Sequence, residues 1–393
     1  MRKKLLALFM LLPMLVFAEV VEIEGVYYDL LSSGDIHVAN VVSGETKPKG
    51  DIIIPPTIVV NDVEFTVKRV SDNAFLNCDE LISISLPNTI ITIGQSSFSG
   101  CVNLCSIYIP NSLQSIDDNA FADCQSLEVV KISDLSSWLK IEFGNSMGTA
   151  AANPASRASK FYLNDEELND IVIPDDITVI KNNVFNGGRY IKSIRFHDNV
   201  SSIGNMSFTN TEIEELEIPK NCTYLGLGSF CFNKKLKKLI ITSNPQTTYI
   251  SGCSFQNCEQ LTEVHFYGNA DIKYDVFLNC KNLSDVFCYT GIPDRWNGKY
   301  NGVSADKNAF DSKIETAVLH VPEEHLEVFK NTLPWSRFGI ITSSYETNID
   351  VLENDDVKNC FIYDLSGNKI PKYKKGINIL RMSNGKTKKV IGK

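Results

Sequence analysis

The sequence predicts a mostly β solenoid assembled from units of about 23 residues and followed by a small C-terminal β module. Three observations carry that prediction. Phe75, Phe98 and Phe121 lie 23 residues apart, and Phe185, Phe208, Phe230, Phe255 and Phe277 continue at intervals of 22 to 25. Between them each unit carries an apolar phrase such as "LISISLP", "LCSIYIP", "LNDIVIP", "IEELEIP" or "LKKLIIT". A second short extended stretch then follows, as in "TIITIG", "SLQSID", "ITVIKN" and "VSSIGN". No single unit of that size buries its own apolar side, so neighbours must stack on one continuous core.

Each element has a local reason. In the first phrase Ile84 and Leu86 point one way while Ser83 and Ser85 point the other, the period of a strand with one buried face. Proline ends the strand at Pro87, Pro110, Pro174 and Pro219, where its missing donor stops the ladder. A polar turn leads from the second extended stretch to the next Phe.

The chain opens on "MRKKLLALFMLLPMLVFAEVVEI". Arg2, Lys3 and Lys4, an apolar run from Leu5 to Val16 and the small-residue site Val16-Phe17-Ala18 describe a secretory signal over 1–18. That run is too short to cross a bilayer comfortably. The formal charge of −9 and pI near 5.2 argue against general nucleic-acid binding, which needs a basic surface.

The unit L-x-x-[IVL]-x-[IL]-P, then [IV]-T-x-I-G, then x-[AS]-F-x-x-C-x-x-L resembles the BspA-type leucine-rich repeats of exported bacterial and protozoan surface proteins. The resemblance covers roughly residues 50–340, with "IIIPPTIVVNDVEFTVKRVSDNAF" similar to that family's opening segment and "AVLHVPEEHLEVFKNTLPWSRF" to its closing one. It implies a leucine-rich-repeat solenoid and a role in adhesion to host matrix, other cells or glycans. The expected organisation is a signal peptide at 1–18, an N-terminal β cap at 19–70 and a solenoid at 71–345 with a C-terminal cap at 311–345. A small β domain at 346–393 completes it. At 135–163 the period breaks and a longer unit is expected to bulge from the solenoid, either as a functional loop or as a tolerated insertion.

Eleven cysteines in an exported chain suggest disulfides. Yet Cys78, Cys101, Cys124, Cys258 and Cys280 each fall three residues after a repeat Phe, at one site on successive turns. Rungs stand about 4.8 Å apart with parallel Cβ vectors, whereas a disulfide wants Cβ atoms about 3.8 Å apart and tilted together. Buried thiols packing as small apolar groups are expected, with pairing between adjacent rungs as the rival. "GNSMG" at 144–148 matches the hydrolase elbow pattern around Ser146, but without the strand, helix and partners that the chemistry needs. The five histidines have no metal spacing, and Asp117-Asp118 and Asp175-Asp176 sit in turns. No catalysis, cofactor or metal is expected.

What remains is the outward side of the strands. Its expected ligand-binding residues are Tyr108, Lys131, Arg195, Glu215, Glu217, Lys238, Glu263, His265, Asp285 and Phe287, aligned in two columns of mixed charge with occasional aromatics; the alternative is a merely solvated sheet face on a structural surface scaffold without a dedicated ligand. The expected partner is a host or bacterial surface protein or a glycan, with neither nucleic acid nor an integral membrane span. After Ser344 the repeat stops. The tail has alternating strands around Leu365-Ser366-Gly367 and Asn384-Gly385, and from Lys369 onward it carries nine basic residues and no acidic one. Alone this reads as a polyanion patch. "IYDLSGNKI", "KKGINIL" and "KKVIGK" also resemble the C-terminal sorting domain of the Bacteroidetes-type secretion route, though the segment is shorter than usual. That resemblance implies delivery to the cell surface or medium, with the secretion or anchoring machinery as a partner of 346–393.

Overall fold

A computed structural model describes residues 19–33, 36–144, 151–242, 246–293 and 302–343, together with the backbone of four strands near the C-terminus. The signal segment, Ser146 and the two tail turns lie outside the described residues. The fold is the expected solenoid. Each phrase forms a strand paired in parallel with the same phrase of the next unit, and each second stretch does likewise in a second sheet.

In the first sheet Gly50–Ile53, Leu81–Ser85, Ser106–Tyr108, Val129–Ile132 and Lys160–Leu163 run in order. Asp170–Val172 pairs with Ser193–Arg195 alone. The ladder then restarts through Glu215–Ile218, Lys238–Ile241, Glu263–Phe266, Asp285–Cys288, Val318–His320 and Ile340–Thr342. Strands of the second sheet are mostly two or three residues long, because the chain must turn toward the next Phe at once. Its N-terminal end is a β meander, Glu19–Ile23, Val26–Ser33 and Ile36–Val42, that leads into Val63–Val70. In that cap Asn61-Asp62 takes positive φ at both positions, the turn that matches strand twist, and folds Thr57–Val60 back on Val63–Val70.

The core lies between the sheets and the Phe turn. Within the two runs from Phe75 to Phe121 and from Phe185 to Phe310, the rings stack on those of the next unit with centroids 5.0 to 5.9 Å apart. The turn also carries a ladder of its own: the Phe75 N–H donates to Ser97 O at 2.7 Å, Phe98 to Ala120 O at 2.8 Å, and Phe230 to Ser254 O at 2.9 Å. This requires left-handed backbone two residues before and two after each Phe. Most of those positions hold Asn or Asp, the types that tolerate positive φ best: Asn73, Asn119, Asn183 and Asp275 before it, and Asn77, Asp123, Asn210, Asn257 and Asn279 after it; Gly100, Gly187 and Gly228 take three more, and Ser96, Met206, Cys253 and Phe232 the rest.

The cysteine ladder holds free, buried thiols at Cys78, Cys101, Cys124, Cys258 and Cys280. Each later thiol in a run donates to the carbonyl of the preceding unit's Phe, as Cys101 does to Phe75 O at 3.0 Å and Cys124 to Phe98 O at 3.1 Å. Burial pushes the Cys124 and Cys280 thiols up to about 12, so both stay protonated donors. Thr211 and Asn233 occupy the same site in the middle units and bond each other, Thr211 Oγ1 to Asn233 Oδ1 at 2.9 Å.

The described part of 135–163 does not bulge; it is built into the solenoid. Asp134 caps the helix Leu135–Leu139 by accepting from Ser137 N at 2.7 Å, and Trp138 is buried against Phe143, Phe161 and Phe185. Glu142–Phe143 extends the second sheet and Lys160–Leu163 the first. The buried Asn153 side chain donates to Asn183 O at 2.6 Å and so ties the insertion to the next turn. The exit segment closes the ring column: Trp335 and Phe338 meet Phe310 edge-on at 5.5 and 5.4 Å. Near the C-terminus Lys369–Ile370, Cys360–Tyr363, Gly376–Met382 and Thr387–Gly392 form a four-stranded antiparallel sheet.

Four positions depart from the turn chemistry, Ser96, Met206 and Cys253 before the Phe and Phe232 after it, and Phe232 is the bulkiest. Phe232 stands two residues after Phe230 with φ 60, where the other units place Asn, Asp or Gly, and it is 44% exposed. Left-handed backbone costs an ordinary L-residue roughly 1–2 kcal/mol, and this ring has little burial to offset it. Phe232→Asn is therefore expected to raise the denaturant midpoint, stabilising the fold by about 1 kcal/mol without changing the slope of the transition.

Candidate ligand-binding face

Parallel register places the same position of successive units side by side. On the outer side of the first sheet one column runs Ser83, Ser106, Val129 and Lys160, then, after the break, Asp170 and Ser193, then Glu215, Lys238, Glu263 and Asp285. The second column contains Tyr108, Lys131, Arg195, Glu217, Ile240, His265 and Phe287. All ten expected residues thus occupy outward positions, but they fall into three regions with different chemistry.

In the first region the polar groups are satisfied within the protein. Lys131 Nζ lies 3.2 Å from Asp165 Oδ1 and 5.9 Å from the centre of the Tyr162 ring. Tyr108 OH is 3.0 Å from Ser133 Oγ.

The central region is a depression of about 460 Å³, open to solvent, lined by Asp170, Ser193, Arg195, Glu215, Glu217, Lys238 and Ile240, with Ile194 and Leu216 at its floor. It forms where the ladder lapses, since Ser193–Arg195 and Glu215–Ile218 belong to separate sheets. Arg195, Glu215 and Glu217 are exposed, and among the described residues Arg195 and Glu215 have no ion-pair partner. Ser193 Oγ donates to Asp170 Oδ1 at 2.5 Å, and Lys238 Nζ lies 3.2 Å from Glu263 Oε1.

The third region corrects the expectation of exposed aromatics. His265 and Phe287 are only 6% and 1% exposed. The rings of His265, Phe287 and His320 stack face to face, with centroids 4.5 and 4.2 Å apart. Tyr267 and Tyr289 make a parallel stack beside them at 4.3 Å. Rings that spend their faces on one another present none to solvent. His265 Nε2 bonds Glu263 Oε1, its Nδ1 lies 3.2 Å from Tyr289 OH, and His320 Nε2 lies 2.9 Å from Asp285 Oδ1. Glu263 and Asp285 are thereby engaged in holding the stack. His320 was not among the expected site residues. The signal for it is the phrase "AVLHVP", which fits the strand pattern and puts His320 at the outward position after Phe287.

Among the described residues no three or more His, Cys, Asp or Glu side chains are grouped to hold a metal ion, and no helix is long and apolar enough to cross a membrane.

The model of the BspA type leucine rich repeat region matches residues 59–147 and 157–284 in six copies, more than half of the chain. Among solved structures, a leucine rich cell surface protein from Faecalibacterium prausnitzii A2-165 is 16% identical, with 84% of this chain and 96% of that one covered and a TM-score of 0.44. The pneumococcal vaccine antigen PcpA is 17% identical, with 84% and 99% covered and a TM-score of 0.45. A leucine-rich repeat protein from Bacteroides ovatus ATCC 8483 is 18% identical, with 79% and 96% covered and a TM-score of 0.32. No curated protein matches.

The contact with His265 holds the Glu263 carboxyl down to about 2, from an ordinary value of 4.5, with Lys238 adding to the effect. A depressed folded-state value contributes stability above the unfolded value that is lost as pH falls through the folded one. Wild-type protein is therefore expected to lose its advantage over Glu263→Gln between about pH 4.5 and about pH 2, as read from the two denaturant midpoints across that range.

Proposed function

The chain belongs to the BspA-type leucine-rich-repeat family, and from that premise we propose that it is an exported, non-enzymatic binding protein of the cell surface or medium. Its ligands are host matrix proteins, other cells or glycans, met by the outer side of the first sheet. The observation that carries this reading is the central depression. There a guanidinium without an ion-pair partner among the described residues stands beside exposed carboxylates on a rigid sheet. Arg195 presents a planar set of donors suited to a carboxylate of the partner, and Glu215 and Glu217 suit a cation. Lys131 and Lys238, in contrast, are already paired. Export rests on the signal-like segment 1–18, and delivery or anchoring on the basic tail 346–393.

The test is binding of the mature chain, residues 19–393, to an array of matrix proteins and glycans. Saturable binding is expected, with Arg195→Glu weakening it at least about tenfold, some 1.4 kcal/mol, and Lys131→Glu weakening it less. Binding indifferent to Arg195→Glu would move the site away from the depression. No binding by wild-type protein would make a structural surface scaffold the better reading.

A further inference from the structure

The first sheet is open at both ends. Its terminal strands, Gly50–Ile53 and Ile340–Thr342, each have a strand neighbour on one side only among the described residues, and each pairs with that neighbour in parallel. A parallel strand bonds one neighbour through alternate residues and offers the residues between them to the other side. Ile340 N donates to Ala317 O and Val321 N to Thr342 O, so Ile341 directs its N–H and C=O to the open edge. Gly50 N donates to Glu80 O and Ile54 N to Ser85 O, so Asp51 and Ile53 direct theirs to the open edge at the other end. The core is incomplete at the same two places. The inward residue of the rung is buried at Ile84, Ile107, Val286 and Leu319, but Ile52 and Ile341, at the equivalent position, are only partly buried. Beside them Ile53 and Ile340 are 78% and 59% exposed.

We propose that the two edges are complementary and that the chain associates head to tail, the Ile340–Thr342 strand of one copy adding in parallel to the Gly50–Ile53 strand of the next. Polarity and register identify a second copy as the occupant. Two identical edges brought together by a two-fold axis would run antiparallel, whereas the first and last strands of one parallel sheet run in the same direction and continue each other's ladder. With Ile341 opposite Ile52, the Ile341 N–H meets the Asp51 C=O and the Ile53 N–H meets the Ile341 C=O, the two bonds of a parallel rung. That register also sets Ile341 against Ile52 on the inward side, where each is partly buried, and leaves Ile340 and Thr342 beside Asp51 and Ile53 on the outward side. A slip of one residue would turn the apolar pair out of the core. The seam involves one sheet only, which places it among transient contacts, below about 1,200 Å². A head-to-tail contact strings copies into rows or rings and repeats the central depression along them, so that a repetitive ligand is held at many points. The association itself requires no ligand in the depression.

The experiment is sedimentation velocity on the mature chain, residues 19–393, at concentrations up to about 100 μM. Dimers and longer species that grow with concentration are expected. Proline is tolerated where a strand N–H faces an open edge, so Ile53→Pro and Ile341→Pro each remove one seam donor and leave the pairing within the molecule in place. Each variant alone is expected to be monomeric, and a mixture of the two to form a one-to-one dimer that grows no further, because each copy keeps the edge the other lacks. Ile340→Glu, at an exposed side chain facing Asp51 across the seam, is expected to weaken association at least about tenfold with an unchanged denaturant midpoint, which separates lost association from lost folding. Wild-type protein that stays monomeric over the whole range would overturn the proposal and leave the edges to a strand of another protein. Association undiminished in both Ile341→Pro and Ile340→Glu would overturn it as well, by assigning the contact to a two-fold pair of first edges or to another surface.

Discussion

Everything in this molecule depends on keeping one rung spacing at several points around each turn of the chain. Parallel strands pair about 4.8 Å apart, and the two sheets hold that interval at two sites. The Phe turn holds it at a third, through the amide of each Phe and the stacked ring beneath it. Stacked aromatic pairs add about 0.5–1.5 kcal/mol each beyond the area they bury. The turn reaches this geometry only because residues on both sides of Phe adopt left-handed backbone, and Asn and Asp supply most of them. Buried thiols complete the turn by donating to carbonyls that already accept a backbone N–H: Phe75 O takes both Cys78 N and Cys101 Sγ.

The same register governs the outer surface. Side chains in one column stand side by side, so like charges in neighbouring units repel and opposite ones pair. Glu215, Lys238 and Glu263 alternate in sign along one column, and Lys238 and Glu263 meet at 3.2 Å. Where the ladder lapses between Ser193–Arg195 and Glu215–Ile218, that mutual neutralisation lapses too. The depression and its exposed charges are therefore consequences of one interruption.

Period and phrase made the rungs legible from the sequence, because spacing alone identifies Phe75, Phe98 and Phe121 as equivalent and alternation assigns the inward face. Three features were not legible in this way. The insertion was read as a bulge because it lacks a Phe at the expected interval, but Trp138 on a short helix fills the core there. His265 and Phe287 were read as exposed because they occupy outward positions. Alternation says which way a side chain points, not whether neighbours on the same face will cover it, and coverage required three rings in register with a second column beside them. The depression was invisible for a related reason, since a lapse in hydrogen bonding between adjacent units leaves no mark on the period.

A stacked column is an open-ended structure, and its ends decide whether it stays a single molecule. An uncovered last rung would offer a flat apolar ring and free strand groups to another chain. Here the column ends on Phe310, where Trp335 and Phe338 change from stacking to edge-on packing, and Phe329 meets Trp335 in the same manner. Turning the rings through 60° to 77° removes the surface on which another parallel rung could stack. At the other end the antiparallel meander of Glu19–Ile23, Val26–Ser33 and Ile36–Val42 replaces parallel pairing before the repeats begin. The ring column and the second sheet thus both end in a change of geometry, whereas the first sheet keeps parallel pairing to its terminal strands Gly50–Ile53 and Ile340–Thr342.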